Sequence, residues 1–298
     1  MDAKVYFGKV HIIEWLEPGE PKTGLDLFGE VQPMGLMSKP VVESAYQPVT
    51  NRDEFLAYLR SIAAEFRITK QLPLLQIETH GIYLHDDKVP DGIGASLDNA
   101  ILWPDLTQTL IPLNQLTGLR LLLMMASCAG LWGIKMAQPV DRAPFLAIIG
   151  PNRAVSVREV LAASIAFYRT IFNGASGDVA IKAMNAAVAP HPLTFGAYNA
   201  ERLFRDVVEA FFATACVEPA LSQRITSLFT KLVAKRFNDT GQVPTREELE
   251  QLRAFTRQHI EAHEDWFDNL REHFFFLDLV PENARRFPIT IEDCRRFV

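Results

Sequence analysis

The chain has 298 residues, 48% of them hydrophobic and 22% charged, with a net charge of -6. A globule of this length buries roughly three quarters of its unfolded surface, so a core needs neither disulfides nor a structural metal, and the composition is not that of a disordered chain. The acidic balance argues against general nucleic-acid binding, which requires a basic surface to neutralise phosphates; the local clusters Lys231, Lys235, Arg236 and Arg285, Arg286, Arg295, Arg296 read as solvated faces. No secretory signal is evident, because Lys4, Lys9 and Glu14 interrupt the early apolar stretches, and the charge-free apolar run from Leu121 to Ile134 is too short to span a bilayer. The expected location is the cytoplasm. Cys128, Cys216 and Cys294 are widely separated and lack CxxC spacing, which suggests neither a disulfide framework nor a zinc cluster.

Val10-His11-Ile12-Ile13 predicts a first buried strand, followed by a turn at Pro18-Gly19-Glu20-Pro21 and a helix carrying Leu25, Leu27, Phe28, Val31 and Met34. Val41-Val42 opens a second strand. Phe55, Leu56, Leu59, Ile62, Ala63 and Phe66 form one helical face behind the capping pair Asn51 and Glu54. Leu74-Leu75-Gln76-Ile77 is a third strand leading into Glu78-Thr79-His80-Gly81. A polar-tipped hairpin around Asp91-Gly92-Ile93-Gly94 and a crossover helix at Trp103, Leu106, Leu110 and Leu113 come next. Leu119 to Met125 then leads into Ala126-Ser127-Cys128-Ala129-Gly130, and Phe145 to Ile149 predicts a fifth strand. Ser156 with Glu159 is a capping box opening a helix whose inner face carries Val160, Leu161, Ile165, Tyr168 and Phe172.

Strands alternating with helices to about residue 190 indicate a doubly wound α/β layer. From about residue 196 the pattern is helix alone: one apolar stripe over 203–212, another over 225–233, and a long helix capped by Thr245 and Glu248 reaching to about Phe276. The expected division is therefore an α/β domain over 1–195 and a helical region over 196–298, the latter serving docking, sensing or packing.

His80 and Cys128 lie 48 residues apart, each at the end of a predicted buried strand. Open α/β sheets bind ligands at the carboxyl ends of their strands. If the two strands are neighbours, about 4.8 Å apart, the imidazole and thiol come within working distance. A thiol is nucleophilic as thiolate, and no Lys or Arg adjoins Cys128 in sequence, so a base must come from elsewhere in the fold. A neutral imidazole suits that role. The Gly81 and Cys128 backbone N–H groups are the natural donors to an oxyanion, and a helix starting near Leu131 would place its positive end by the thiol.

A strand-terminal His80-Gly81 followed by Ser127-Cys128-Ala129-Gly130 resembles the caspase-like cysteine peptidases, and more closely their bacterial CHAT-type members. The helix at Trp103 and Leu106, the Phe167-Tyr168 pair with Gly174, and the 180–187 segment are similar as well. The likeness covers roughly residues 5 to 190. It implies a caspase-like, doubly wound, mostly parallel sheet flanked by helices, with an all-helical C-terminal region. It also implies a Cys128 nucleophile, a His80 base, oxyanion donors at Gly81 and Cys128, no cofactor and no metal. The activity implied is a cysteine endopeptidase acting on protein substrates through an acyl-enzyme, as a regulated effector in stress or anti-phage defence, with a regulatory protein partner docking on the helical region. No membrane and no nucleic acid are expected as partners. The sequence departs from the pattern in lacking a Gln before Ala-Cys, in lacking Trp and Asp at Ile148 to Pro151, and in carrying no tetratricopeptide array. The alternative class is a catalytically silent fold of the same kind acting as a binding or assembly module. A nucleotide-binding domain is weaker still, since Asp91 to Ser96 lacks a full GxGxxG.

For substrate choice, Arg142, Arg153 and Arg158 would serve an acidic side chain, and Glu14, Glu17 or Asp141 a basic one; Asp141, Arg153 and Glu14 are the pocket candidates. His85 is a competing imidazole beside Asp86 and Asp87. His259 and His263, one helical turn apart, with Glu264, are read as a packed or solvated face rather than a metal site.

Overall fold

The computed structural model describes residues 6–85, 88–137, 142–190 and 193–295. Two compact units make up the chain, Met1–Ala200 and Glu201–Val298.

The first unit is built on a mostly parallel sheet of eight strands. Strands β1 (Lys9–Trp15), β2 (Glu43–Pro48), β3 (Pro73–Ile82), β6 (Leu122–Ala126), β7 (Ala147–Pro151) and β8 (Phe195–Asn199) run in the order β2-β1-β3-β6-β7-β8. All pairings along that path are parallel except β7 with β8. The hairpin β4 (Gly92–Ser96) and β5 (Asn99–Leu102) attaches antiparallel to the end of β3. Three helices lie in the crossovers, α1 (Thr23–Met37), α2 (Arg52–Thr69) and α3 (Trp103–Leu116), and α4 (Val157–Phe172) and α5 (Gly177–Ala187) connect β7 to the antiparallel β8.

Strand parity decides which side chain meets which layer, because successive residues of a strand point to opposite faces. Val10 and Ile12 of β1, Leu74 of β3, and Leu122 and Met124 of β6 join one core with Leu27 and Val31 of α1 and Phe167 and Tyr168 of α4. The intervening residues face the other layer, where Trp15 stacks on Phe55 of α2 with ring centroids 5.2 Å apart. The local signals for the helices are realised: the Asn51 side chain accepts the Glu54 N–H at 2.9 Å, and Ser156 with Glu159 closes a capping box on α4.

The elements differ from the sequence expectation at several places. β2 starts at Glu43 rather than at Val41, because the Val42 N–H is taken by the Gly35 carbonyl at the end of α1. The hairpin expected around Asp91 to Gly94 is present, its first strand running over Gly92–Ser96. The segment after Cys128 is a 3-10 helix, Gly130–Ala137. β8, an antiparallel edge strand, lies where helix alone was expected.

The second unit holds α6 (Ala200–Ala215), α7 (Ala220–Thr240), α8 (Arg246–Ala262), α9 (Glu264–Phe274) and the short α10 (Asn283–Arg286) and α11 (Ile291–Arg295). Phe204 meets the rings of Phe267, Phe274 and Phe275 at 4.9 to 5.5 Å. Phe211 stacks on Trp266 at 3.6 Å. The helix begun by Thr245 and Glu248 does not run to Phe276: His263, at φ 56° in the left-handed region, separates α8 from α9. Among the described residues no helix is long and apolar enough to cross a membrane.

Candidate active site

β3 and β6 are adjacent and parallel, in register up to Glu78 opposite Ala126. His80 and Cys128 each follow that pair by two residues, so both fall on the face shared with α1 and α4. They line one cleft of about 160 Å³ together with Leu16, Glu20, Pro21 and Thr23 from the β1–α1 connection, Glu78 and Thr79 of β3, Ala126 and Ser127, and Val155, Val157 and Val160 around the start of α4. A second cavity of about 260 Å³ shares Leu16 and Glu20 with it and runs past Glu14, Val49 and Asn99.

His80 lies inside β3, where its backbone passes from β6 to β4 as neighbour. Its side chain is 44% exposed, and Nε2 lies 2.9 and 3.0 Å from the two Glu20 carboxylate oxygens. Glu20 also accepts the Glu17 N–H at 2.8 Å. Burial works against the Glu20 anion, but the hydrogen bonds from His80 and Glu17 and the charge of the ring outweigh it and hold the carboxyl below its ordinary value. A carboxylate only accepts, so Nε2 carries a proton, which leaves Nδ1 as the ring nitrogen able to accept one.

Cys128 stands just beyond β6. The following Ala129 is left-handed at φ 52°, its N–H bonds to the Arg153 carbonyl at 2.9 Å, and the Gly130 N–H turns back to the Ser127 carbonyl at 2.9 Å. This turn lifts the thiol out of the sheet. Sγ donates to the Val155 carbonyl at 3.8 Å, and no hydrogen bond joins it to the imidazole. The Cys128 N–H has no acceptor among the described residues. Gly81 is confined by the same turn: a Cβ there would stand 2.7 Å from the Cys128 carbonyl oxygen. Tyr83 is close by; burial first, and then the charge of Cys128, raise its hydroxyl above the ordinary value.

Two acids lie deeper on this face. Glu14 and Glu78 are opposite one another in the β1–β3 register. Glu14 accepts the Gly24 and Leu25 N–H groups at the start of α1, at 2.8 and 3.2 Å, and the Tyr46 hydroxyl at 2.9 Å. Its charge is thereby committed to a helix N-terminus; Gly24 permits this, since a Cβ would sit 2.9 Å from Glu14 Oε2. Glu78 accepts from Thr23 Oγ1 at 2.9 Å and Gln76 Nε2 at 2.6 Å, and Gln76 in turn accepts the Tyr168 hydroxyl at 2.9 Å. Burial is the main cause that pushes the Glu78 carboxyl up to about 7, with the Glu14 charge adding to it against the two hydrogen bonds.

Of the pocket candidates, Glu14 is buried and lines the neighbouring cavity rather than the cleft of Cys128. Arg153 is bound to Glu159 at 2.6 Å and to Thr194 and the Ala154 carbonyl, and is not among the lining residues. Asp141 lies outside the described residues, as do Asp86 and Asp87. His85 is exposed and pairs with Asp91 at 3.4 Å. His259 pairs with Asp265 at 3.4 Å, and His263 Nδ1 lies 3.8 Å from Cys216 Sγ, a contact that sequence spacing does not suggest. No cluster of three metal-ligating side chains occurs among the described residues. Burial, ahead of its charged neighbours, raises the Cys294 thiol to about 11.

Sequence reasoning missed Glu20 and Glu78. Glu20 carries no local signal, being one polar residue in a turn. Glu78 has one: with Gln76 it is a polar residue of the same parity as His80 in an otherwise apolar strand. No family model matches the chain, and no curated protein matches it.

Proposed function

We infer that this chain is a cysteine endopeptidase of the caspase-like kind, nearest the CHAT-type members, with Cys128 as nucleophile, His80 as base and Glu20 orienting the base. The observation that carries the reading is the shared cleft: thiol and imidazole leave adjacent parallel strands at equal register and line one opening. A mostly parallel sheet flanked by helices supports the reading as well.

In this reading an extended peptide lies across the cleft. Nδ1 of His80 takes the thiol proton, and Sγ adds to the scissile carbonyl carbon. The negative charge that develops on the carbonyl oxygen is met by the Cys128 N–H, with the Gly81 backbone alongside. The imidazolium, held by Glu20, returns the proton to the leaving amine, and a thioester remains. Water then gives a proton to His80 and its oxygen to the acyl carbon, releasing the acid and restoring the thiol. Thiol and ring bracket the carbonyl instead of bonding to each other, and in unliganded enzymes such contacts are commonly long.

The missing Sγ to imidazole bond also favours a second reading, a silent fold of the same kind that binds protein partners, with Glu201–Val298 available for docking. Cys128→Ala decides between them. Cleavage of a denatured protein substrate is expected to vanish while the circular dichroism spectrum and melting temperature stay at the wild-type values; cleavage that persists removes the peptidase reading.

A further inference from the structure

Two features of the cleft are not used by the bond-breaking groups. The first is Glu78, 3% exposed yet lining the cleft, two residues back along β3 from His80. Its carboxylate is solvated by two neutral donors, Thr23 and Gln76, and no Lys, Arg or His pairs with it among the described residues. The second is the wall: Leu16, Pro21, Val155, Val157 and Val160 supply apolar surface, and no lining side chain is Lys or Arg.

We propose that this cleft selects a lysine or arginine side chain next to the scissile bond, its alkyl stem along the apolar wall and its cation on the Glu78 carboxylate. The proposal rests on the peptidase reading and names its substrate class. An apolar sleeve ending in a buried acid matches a side chain that is hydrocarbon for most of its length and charged at its tip. An acidic residue would bring a third carboxylate to Glu20 and Glu78 with no cation to receive it. A purely apolar one would cut Glu78 off from water without bringing it a cation, the more costly kind of mismatch. Glu14 does not compete for the ligand, because its oxygens are occupied by α1 and Tyr46. A cation arriving beside Glu78 favours its ionised form, so that binding itself draws off the proton that burial retains.

The test uses peptidyl acyloxymethyl ketones of one sequence ending in lysine, arginine, norleucine or aspartate, on the full-length protein. Thiolate attack displaces the carboxylate and leaves a thioether on Cys128, read by mass spectrometry, so no substrate need be known. The lysine and arginine probes are expected to label Cys128 at least roughly tenfold faster than norleucine, with aspartate slowest, on the scale of a hydrogen bond to a charged partner. Glu78→Gln is expected to erase that preference while norleucine labelling persists. Equal or faster labelling by norleucine or aspartate overturns the assignment of Glu78 and leaves the peptidase reading standing. Labelling by no probe, or labelling that is unaffected by His80→Ala, overturns both. The comparison among probes is made on the wild-type protein, so it stands even if the Glu78 variant fails to fold.

Discussion

Two buried titratable groups of the first unit load its stability with opposite pH slopes, and removing one exposes the other. Burial holds Glu78 at about 7 instead of its ordinary 4.5. Between those values the folded state binds the proton and the unfolded state has released it, so stability falls as pH rises through this window. At about 1.4 kcal/mol for each tenfold change in proton affinity, the loss totals on the order of 3 kcal/mol. His11 behaves in the reverse sense. Burial, aided by the Lys9 charge and opposed by that of Glu65, lowers it from 6.5 to about 4, so the unfolded state binds more protons and stability rises with pH over that interval. The two slopes cancel where they overlap. Glu78→Gln removes one of them and keeps the shape, at the expense of one acceptor, about 1 kcal/mol. The variant is expected to be less stable than wild type by about 1 kcal/mol near pH 4.5 and more stable by about 2 kcal/mol above pH 7.5. Urea unfolding followed by tryptophan fluorescence across that range measures the difference directly, and groups common to both proteins drop out of it. A difference that stays constant with pH would refute the reasoning, because Glu78 would then titrate alike in both states.

Further outcomes follow from the cleft. Glu20→Gln removes the anion that fixes Nε2 and is expected to lower kcat roughly ten- to a hundredfold with KM nearly unchanged; a rise in KM alone would make Glu20 a substrate-binding group. Gly81→Ala sets a methyl group 2.7 Å from the Cys128 carbonyl oxygen. The turn must yield, costing about 1 to 3 kcal/mol in urea unfolding and depressing probe labelling of Cys128. His11→Phe is expected to remove the rising contribution between pH 4 and 6.5, so that the Glu78 fall shows through in urea unfolding above pH 4.5, without altering that labelling, since His11 faces Tyr58 on the α2 side of the sheet.

Much of this arrangement is written in short-range pattern. The apolar runs ending at Ile77 and Met125 specify buried strands, and the helix between them, Trp103–Leu116, makes their parallel pairing the natural one. From that, the nearness of His80 and Cys128 is legible. What escapes is set by chain segments distant in sequence. Glu20 reaches His80 across 60 residues from a turn whose composition says only that the chain bends. β8 is read into the helical region because Phe195–Asn199 carries little alternation; it is made a strand by the free edge of β7. The break at His263 is equally hidden, since nothing but a left-handed backbone angle marks it and no glycine or proline stands there.

Glu14 and Glu78 sit side by side on the face that otherwise packs α1 and α4. Apolar residues at both positions would satisfy the alternation of their strands and spare the folded state the burial of charge. Glu14 is offset by the first turn of α1, which gives it a structural reason to remain. Glu78 has no such offset. Two neutral donors leave it near neutrality in its titration, which is a poor arrangement for holding strands together and a serviceable one for receiving a cation. Where local rules of folding are broken without compensation, function is the usual reason. Among the described residues, Glu78 is a buried acid with neither a cation nor a helix end to offset it, and it lies two residues from the candidate base, on the same face and lining the same cleft.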